Sequence, residues 1–378
     1  MNSTILHTIK KPAPPLIAKM NPTTMRTELI RCRTSLHSLY AYHNRLWGVS
    51  EETKLKRIDP KTNKVSHVAS LSHKIVYVYD DGDYLWVLTH DPHQLIKLTL
   101  KGKVVTTTPL GMDKLYSVCA NDSYVWVSNV YNDSIAKVDK HSGVVIKYLH
   151  PTAWDNIHTP YPLLYTNNEY LWVIRAGKYI KINAHTDELI TKITVPAKIP
   201  YTIQVDEKCI WVLYQDAVTQ VSLDTLQIMN SIDIPTYPST MAQDGNRIYV
   251  DLLSGVITTI DKDTLAMSIP VQHYLEVYSV YSQGHLWGAP WDTNYDIAEA
   301  FYNMKHVYIS MTFILAHRDQ YYAYETLVHE DFTLSSNQCT YNPDTRELTL
   351  HNQLVPFSPL SVRTIPKGEV VQLLLQKE

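Results

Sequence analysis

Histidine and acidic residues stand close together at two places in the sequence, a combination that can hold a metal ion. His90 and His93 form a short His-x-x-His motif, and His329, Glu330 and Asp331 follow one another directly. The first motif lies in a loop between two strand-like segments, where the rigid scaffold that fixes ligand geometry is missing. We therefore expect surface histidines, and the sequence predicts no metal site and no cofactor.

Motifs for nucleophilic or phosphate chemistry are absent from the sequence. It contains no Gly-rich phosphate loop and no Gly-x-Ser-x-Gly. Its four cysteines have no paired spacing, which predicts buried free thiols; they are Cys32, Cys119, Cys209 and Cys339. No catalytic residue is predicted from these motifs.

Tyrosine is the residue type best suited to form a binding surface, because the chain has 27 Tyr but only 4 Phe. One tyrosine lies near the start of each of seven predicted strands that line a central channel: Tyr40, Tyr77, Tyr116, Tyr161, Tyr201, Tyr237 and Tyr278. A loose ring of tyrosines could stack on sugars or peptide side chains and donate hydrogen bonds. The alternative is that Tyr suits strand ends, with its ring packed and its hydroxyl in water.

A loop at residues 150–162 is a second candidate surface. It contains Trp154 and His158, and a further tryptophan, Trp291, also lies outside the repeated positions described next. Exposed tryptophan is enriched at protein interfaces. We predict a partner-binding role for Trp154, His158 and Trp291, with a loop folded onto its own blade as the alternative.

A repeat of about 40 residues organises the chain. An aromatic residue flanked by aliphatic or small residues recurs seven times, at intervals of 39, 40, 46, 39, 38 and 38 residues; the seven are Trp47, Trp86, Trp126, Trp172, Trp211, Tyr249 and Trp287. Each unit reads as four short strands rich in Val, Ile, Tyr and Trp, separated by turns containing Asp, Asn or Gly.

A single four-stranded sheet of this size cannot bury both faces, so seven of them must pack face to face. The solution is a seven-bladed β-propeller. The repeated tryptophans are then expected to fill the wedges between adjacent blades.

The repeat also resembles a known superfamily. Asp83-Tyr-Leu-Trp-Val and Ile135-Ala-Lys-Val-Asp-Lys are its best copies, and residues 36–300 resemble the seven-bladed propellers with YVTN repeats, NHL-type repeats and virginiamycin B lyase-like repeats. The lyase-like members use a histidine and acidic cluster with magnesium at the channel mouth. The nearest residues here are His273, Glu276 and His285, whose spacing does not reproduce that motif, so no catalytic residue is carried over.

These patterns divide the chain into three regions, all of them β-rich or extended. Residues 1–26 form a basic, proline-containing extended arm, residues 27–302 form the propeller, and residues 303–378 form a small β-sandwich-like appendage. We expect Thr27 to Arg33 to supply the outer strand of the last blade and residues 296–301 its third strand. Residues 1–40 carry six Lys or Arg against one Glu, a local charge of +5.

Composition excludes several function classes. The net charge is -3 and no long basic run occurs, so the chain does not resemble a dedicated nucleic-acid binder. No apolar stretch approaches the roughly 18 residues of a membrane span, and the first residues lack the apolar run of a secretory signal. The expected location is the cytoplasm or an intracellular assembly, which includes a virus particle.

The preferred function is a non-catalytic scaffold that binds other proteins as a subunit of a larger assembly, in a cell or in a viral particle. The expected contacts are the N-terminal arm, the loop at 150–162 and the C-terminal region. The alternative is a virginiamycin B lyase-like enzyme, or a propeller that binds a small ligand or carbohydrate at its channel mouth. The residues favour the first reading because no convergent acid and base set is visible.

Overall fold

The computed structural model describes residues 3–12, 16–24, 27–130, 134–150, 162–234, 238–252, 256–268, 271–272, 277–290, 308–318, 320–329, 338–350, 353–354 and 361–366. Every regular element in these ranges is a β-strand. They contain no helix long and apolar enough to cross a membrane.

The chain begins with three strands that pair with segments far away in sequence; they are β1 (Ser3–Pro12), β2 (Leu16–Met20) and β3 (Thr27–Arg31). Six four-stranded antiparallel blades then follow in order. Blades 1 to 3 comprise β4 (Ser38–Tyr42), β5 (Arg45–Ser50), β6 (Lys54–Ile58), β7 (Val65–Ser70), β8 (Lys74–Asp80), β9 (Tyr84–His90), β10 (Gln94–Thr99), β11 (Val104–Pro109), β12 (Leu115–Ala120), β13 (Tyr124–Asn129), β14 (Ile135–Asp139) and β15 (Val145–Leu149).

Blades 4 to 6 have the same strand order from inside to outside. They comprise β16 (Leu163–Thr166), β17 (Tyr170–Arg175), β18 (Lys178–Asn183), β19 (Leu189–Thr194), β20 (Thr202–Val205), β21 (Cys209–Leu213), β22 (Ala217–Ser222), β23 (Ile228–Asp233), β24 (Pro238–Gln243), β25 (Arg247–Leu252), β26 (Val256–Asp261) and β27 (Val271–Gln272).

The two ends of the chain build the seventh blade together. Its inner strands are β28 (Val277–Ser282) and β29 (His285–Pro290), and β2 and β3 add the third and fourth places. The first strand of every blade contacts the first strand of both neighbouring blades, including β28 with β4. The ring is therefore closed, and the prediction of an all-β, seven-bladed propeller is confirmed.

The repeated aromatics fill the wedges between blades, as the sequence predicts. Trp47, Trp86, Trp126, Trp211 and Trp287 are at most 1% exposed, and each lies in a core cluster shared with the next blade. Trp172 joins blades 4 and 5 in the same way, and Tyr249 joins blades 6 and 7.

The four cysteines are free, as the sequence predicts. Cys119, Cys209 and Cys339 are buried, and Cys32 is half-buried.

Lysines on third strands add a polar link between blades. In four blades the ammonium donates to a main-chain carbonyl in the turn after the next blade's third strand, at 2.7 to 3.3 Å; the pairs are Lys19 to Pro60, Lys97 to Lys140, Lys137 to Ala184 and Lys181 to Leu223. The same lysines lie over aromatic rings of the second strand, for example Lys137 Nζ at 3.9 Å from the Tyr124 ring centroid.

The N-terminal segment, predicted as an extended arm outside the propeller, contributes strands to two sheets. It is extended, but Leu16–Met20 pairs with β29 and β3, so this segment supplies the third strand of blade 7, the place that the sequence assigns to residues 296–301. The outer strand is Thr27–Arg31, as expected. Ile17 is fully buried beneath Trp287 and Leu46. Residues 296–301 lie outside the described residues.

The C-terminal region forms a seven-stranded sheet around β1. The remaining strands are β30 (Tyr308–His317), β31 (Gln320–His329), β32 (Gln338–Asn342), β33 (Glu347–Leu350), β34 (Gln353–Leu354) and β35 (Ser361–Ile365), and β1 lies between β32 and β30. One face carries a buried cluster that includes Phe313, Tyr324 and Tyr341. The described part of this appendage is thus one sheet, completed by the first strand of the chain.

Candidate functional site

Among the seven tyrosines, Tyr40, Tyr77, Tyr116 and Tyr201 have described side chains. Tyr161 and Tyr237 lie outside the described residues, and Tyr278 lies in β28 with its side chain not described. The binding role of all seven stays a prediction.

Two of these tyrosines meet at the junction of blades 1 and 2. The Tyr40 and Tyr77 rings are edge to face with centroids 5.3 Å apart, and the Tyr40 hydroxyl donates to the Val76 carbonyl at 3.3 Å. The Tyr42 and Tyr77 hydroxyls lie 3.2 Å apart, and burial raises the pKa of both phenols. The pair is packed against the cores beside it.

The tyrosines do not share one register on their inner strands. Tyr40 pairs directly with Trp47, whereas in blade 2 the residue paired with Trp86 is Tyr79, two positions after Tyr77. Tyr116 and Tyr201 each lie three positions before the residue that pairs with the wedge tryptophan. The described tyrosines therefore lie at different levels along their inner strands and do not form one level ring.

The predicted loop residues cannot be placed. Trp154, His158 and Trp291 lie outside the described residues, as do His273 and Glu276. His285 is described: it begins β29, and its Nδ1 lies 3.1 Å from the carbonyl oxygen of Gln283, inside the turn.

The two histidines of the His-x-x-His motif are brought together. Their rings are edge to face with centroids 4.7 Å apart, and Asp91 joins them, with a carboxylate oxygen 2.9 Å from His90 Nδ1. Sequence inspection paired the histidines but did not include this carboxylate.

A row of exposed apolar residues on the outer strands is a feature that the sequence reading missed. In blades 2 to 5 the register between the third and fourth strands shifts by one residue near the start of the fourth strand. The extra residue is large, apolar and 47 to 53% exposed in each case: Val105, Ile146, Ile190 and Met229. We call these four residues the rim row.

Neighbouring residues widen the rim row. Val104, Val144, Leu189 and Ile228 are exposed beside its four members. Blades 2 and 3 touch directly here, because the Thr108 hydroxyl donates to the Gly143 carbonyl at 2.5 Å and a Cβ at Gly143 would meet Thr106 at 2.8 Å.

The other three blades have polar residues at the matching place. In blade 1 Arg57 pairs with Ser66, and the register shift comes two residues later at Val68, which is half-buried. In blade 7 Lys19 pairs with Glu28. In blade 6 the matching residue is Ser268, and all three side chains are exposed. On the opposite side from the rim row, Arg31 of blade 7 forms an ion pair with Glu325 of the C-terminal sheet.

A weak sequence signal marks the rim row. Ile146, Ile190 and Met229 each follow the last residue of the third strand by seven positions, as Ser268 does in blade 6. The residue at this position is apolar in blades 3 to 5 and Ser in blade 6. Only the strand register shows that this residue is an unpaired, exposed bulge.

No protein-family model matches this chain, and no curated protein matches it significantly. Solved structures do match. A streptogramin B lyase aligns with a TM-score of 0.57 and 15% identity, covering 77% of this chain and 95% of its own. A catalytically inactive virginiamycin B lyase from Staphylococcus aureus, with quinupristin, aligns with a TM-score of 0.56 and 11% identity, covering 73% of this chain and 99% of its own.

This chain has the fold of those propellers. The predicted resemblance to virginiamycin B lyase-like repeats is confirmed for the architecture. At such low identity, the similarity concerns the fold alone.

Proposed function

We propose that this protein is a non-catalytic propeller that binds another protein along the rim row of blades 2 to 5. The observation that carries the proposal is the repetition: four consecutive blades expose a large apolar residue at one bulge, and the other blades carry Ser or Glu there. Bulges at sheet edges re-aim side chains, and extended apolar patches are typical of interaction sites.

The chemistry of the rim favours a protein partner. Charges of both signs lie beside the row, such as Lys147 and Asp187, whose side chains pair at 2.6 Å. Nucleic acid needs a concentrated basic surface instead. The partner should present apolar side chains along an extended segment that follows the edges of several blades.

Replacing the four rim residues by Ser tests the proposal. The exposed side chains contribute little to folding, so the variant should keep its thermal midpoint within a few degrees. In affinity purification from the native source, the variant should lose a stoichiometric partner that the unaltered chain retains. Loss of one such side chain should weaken binding by roughly tenfold, corresponding to about 1.4 kcal/mol.

The matched control changes the equivalent positions of the polar blades. Ser66→Ala with Ser268→Ala should retain the partner fully. Retention of every stoichiometric partner by the four-residue variant would contradict a role of the rim in binding.

A second candidate is binding of a small ligand or carbohydrate at the channel. Two observations favour it: Tyr201, a member of the predicted tyrosine ring, is 36% exposed just before the inner strand of blade 5, and the fold is similar to that of lyases, one of which was solved with quinupristin. Calorimetry with quinupristin tests it. Binding that weakens in Tyr201→Ala, followed by consumption of quinupristin, would favour the lyase-like reading, whereas absence of heat would exclude this ligand.

A further inference from the structure

The turn between β9 and β10 of blade 2 gathers three groups with the chemistry of metal ligands. One nitrogen each from His90 and His93 and one carboxylate oxygen of Asp91 all lie within 4.8 Å of one another. Among the described residues this is the one such group of three. It is separate from the rim row, which lies on the outer strands.

The turn is held at both ends by the sheet. His90 is the last residue of β9 and pairs with Lys74, while Gln94 begins β10 and pairs with Thr89. The Thr89 hydroxyl donates to the Pro92 carbonyl at 3.0 Å across the turn. His90 therefore ends one strand and His93 directly precedes the strand paired with it, which supplies the scaffold that the sequence motif alone lacks.

Asp91 brings its carboxylate toward His90 through its backbone conformation. Its φ is +47°, in the left-handed region that aspartate adopts more readily than most residues. Oδ2 then lies 2.9 Å from His90 Nδ1. Both groups remain accessible, with 43% of the His90 side chain and 84% of the Asp91 side chain exposed.

His93 has a polar atom that the described part of the chain leaves unused. Its Nδ1 is buried and makes no hydrogen bond to a described residue. Its Nε2 receives only a long contact, 3.4 Å from the Lys114 amide. A buried polar atom without a partner is uncommon and is often explained by an unseen ion or water.

We infer that His90, Asp91 and His93 bind a divalent transition-metal ion of the zinc type. Two imidazoles and one carboxylate suit Zn²⁺ better than Mg²⁺ or Ca²⁺, which prefer oxygen ligands. At bond lengths of about 2.0 to 2.2 Å, tetrahedral ligands lie roughly 3.3 Å apart, so no two of the three groups, which lie within 4.8 Å of one another, need to approach by more than about 1.5 Å. Three protein ligands leave the fourth position to water.

Binding rearranges the contacts inside the turn. If His93 uses Nδ1, its proton resides on Nε2 and the long Lys114 contact is given up. Asp91 exchanges its contact with His90 for a bond to the metal. The His90–Asp91 contact is exposed and the Lys114–His93 contact is long. Losing them should therefore cost little free energy compared with the free energy gained by binding the metal.

Calorimetric titration of the full chain with ZnCl₂ tests the inference, using protein without a histidine tag and stripped with a chelator. One site per chain is expected. His90→Ala and Asp91→Asn should each weaken Zn²⁺ binding at least tenfold, and the double variant His90→Ala with His93→Ala should abolish it. His141→Ala, which removes an exposed histidine of blade 3, should leave it unchanged.

A spectroscopic readout identifies the ligands. Co²⁺ in the same site should give visible absorption bands typical of low coordination, which disappear in His90→Ala. Asn tolerates positive φ as Asp does, so we expect Asp91→Asn to keep the fold. The inference is overturned if the full chain binds no Zn²⁺, if the double variant binds as well as the unaltered chain, or if His141→Ala weakens binding as strongly.

Discussion

Individual carboxylates hold the blade turns in place, and Asp81 shows how. Its Oδ2 accepts from the Trp86 indole at 2.6 Å and pairs with Lys140 Nζ at 3.0 Å, while Oδ1 accepts from the backbone amides of Asp83 and Tyr84. Burial alone raises the pKa of Asp81, but these four donors outweigh it and hold the pKa below its usual value. The charged form is therefore the stabilising form.

The lowered pKa of Asp81 predicts how the stability of the protein depends on pH. Because the pKa of folded Asp81 is lowered, its contribution is fully present above the pKa of the unfolded chain, near 3.8, and is lost as the pH falls through the folded value. Asp81→Asn should lower the free energy of unfolding by roughly 2 to 3 kcal/mol at neutral pH. Denaturant titrations at neutral and acidic pH check this.

Measurements at acidic pH provide the control for Asp81→Asn. The difference between Asp81→Asn and the unaltered chain should shrink as the pH falls below 3.8. A difference that stays constant across this range would show that the carboxylate charge is not what stabilises the turn.

At the scale of strands, lysines link neighbouring blades more than sequence inspection suggests. Lys137 is almost fully buried; its Nζ donates to the Ala184 carbonyl at 2.8 Å and to Asp187 at 2.7 Å. Lys147 contacts the same carboxylate at 2.6 Å from an exposed position. The two lysines thus share a partner but differ in burial.

Lys137→Met should destabilise the protein by roughly 2 to 4 kcal/mol, because it removes a buried donor from two acceptors. Lys147→Met should cost less than about 1 kcal/mol, as exposed ion pairs do. Chemical denaturation measures the free energy of unfolding of both variants and tests this difference. Equal losses would contradict the assignment of the link to the buried lysine.

The strands that belong to the 40-residue repeat could be predicted from the sequence. An Asp or Asn is predicted to close the third strand at Asp59, Asp139, Asn183, Asp224 and Asp261. At four of these places the side chain accepts backbone amides two and three residues on. Asp224 is the exception, because the strand in blade 5 ends at Ser222, whose hydroxyl accepts the Thr225 amide. Leu16–Met20 was not recognised, because its five residues lie among prolines and its partner β29 is more than 260 residues away. Pairing at such separation leaves no local pattern.

Removal of residues 1–26 should therefore prevent closure of the ring. The deletion removes β2 from blade 7 and β1 from the C-terminal sheet. Ile17→Ala should already cost roughly 2 to 5 kcal/mol, because this side chain is fully buried. Circular dichroism and thermal melting measure both effects. A deletion variant that melts like the full chain would contradict the closure by β2.

At the scale of the molecule, the propeller has two unlike sides. Blades 2 to 5 expose the rim row, while blade 7 faces the C-terminal sheet through Arg31 and Glu325. The sequence predicted a protein-binding propeller with its contacts at the tyrosines, the loop at 150–162, the arm and the C-terminal region. The rim row escaped it because a bulge is a property of strand register, and alternation along a strand does not show which residue is unpaired.

Site-specific photo-crosslinking in the native source most directly tests protein binding by the rim row. A crosslinker would replace Val105, Ile146, Ile190 or Met229 in turn, with Ser66 of blade 1 as the matched control position. We predict crosslinks from all four rim positions to one partner protein and no crosslink to that partner from Ser66. Crosslinks to it from Ser66 in equal yield, or none from any rim position, would contradict the account.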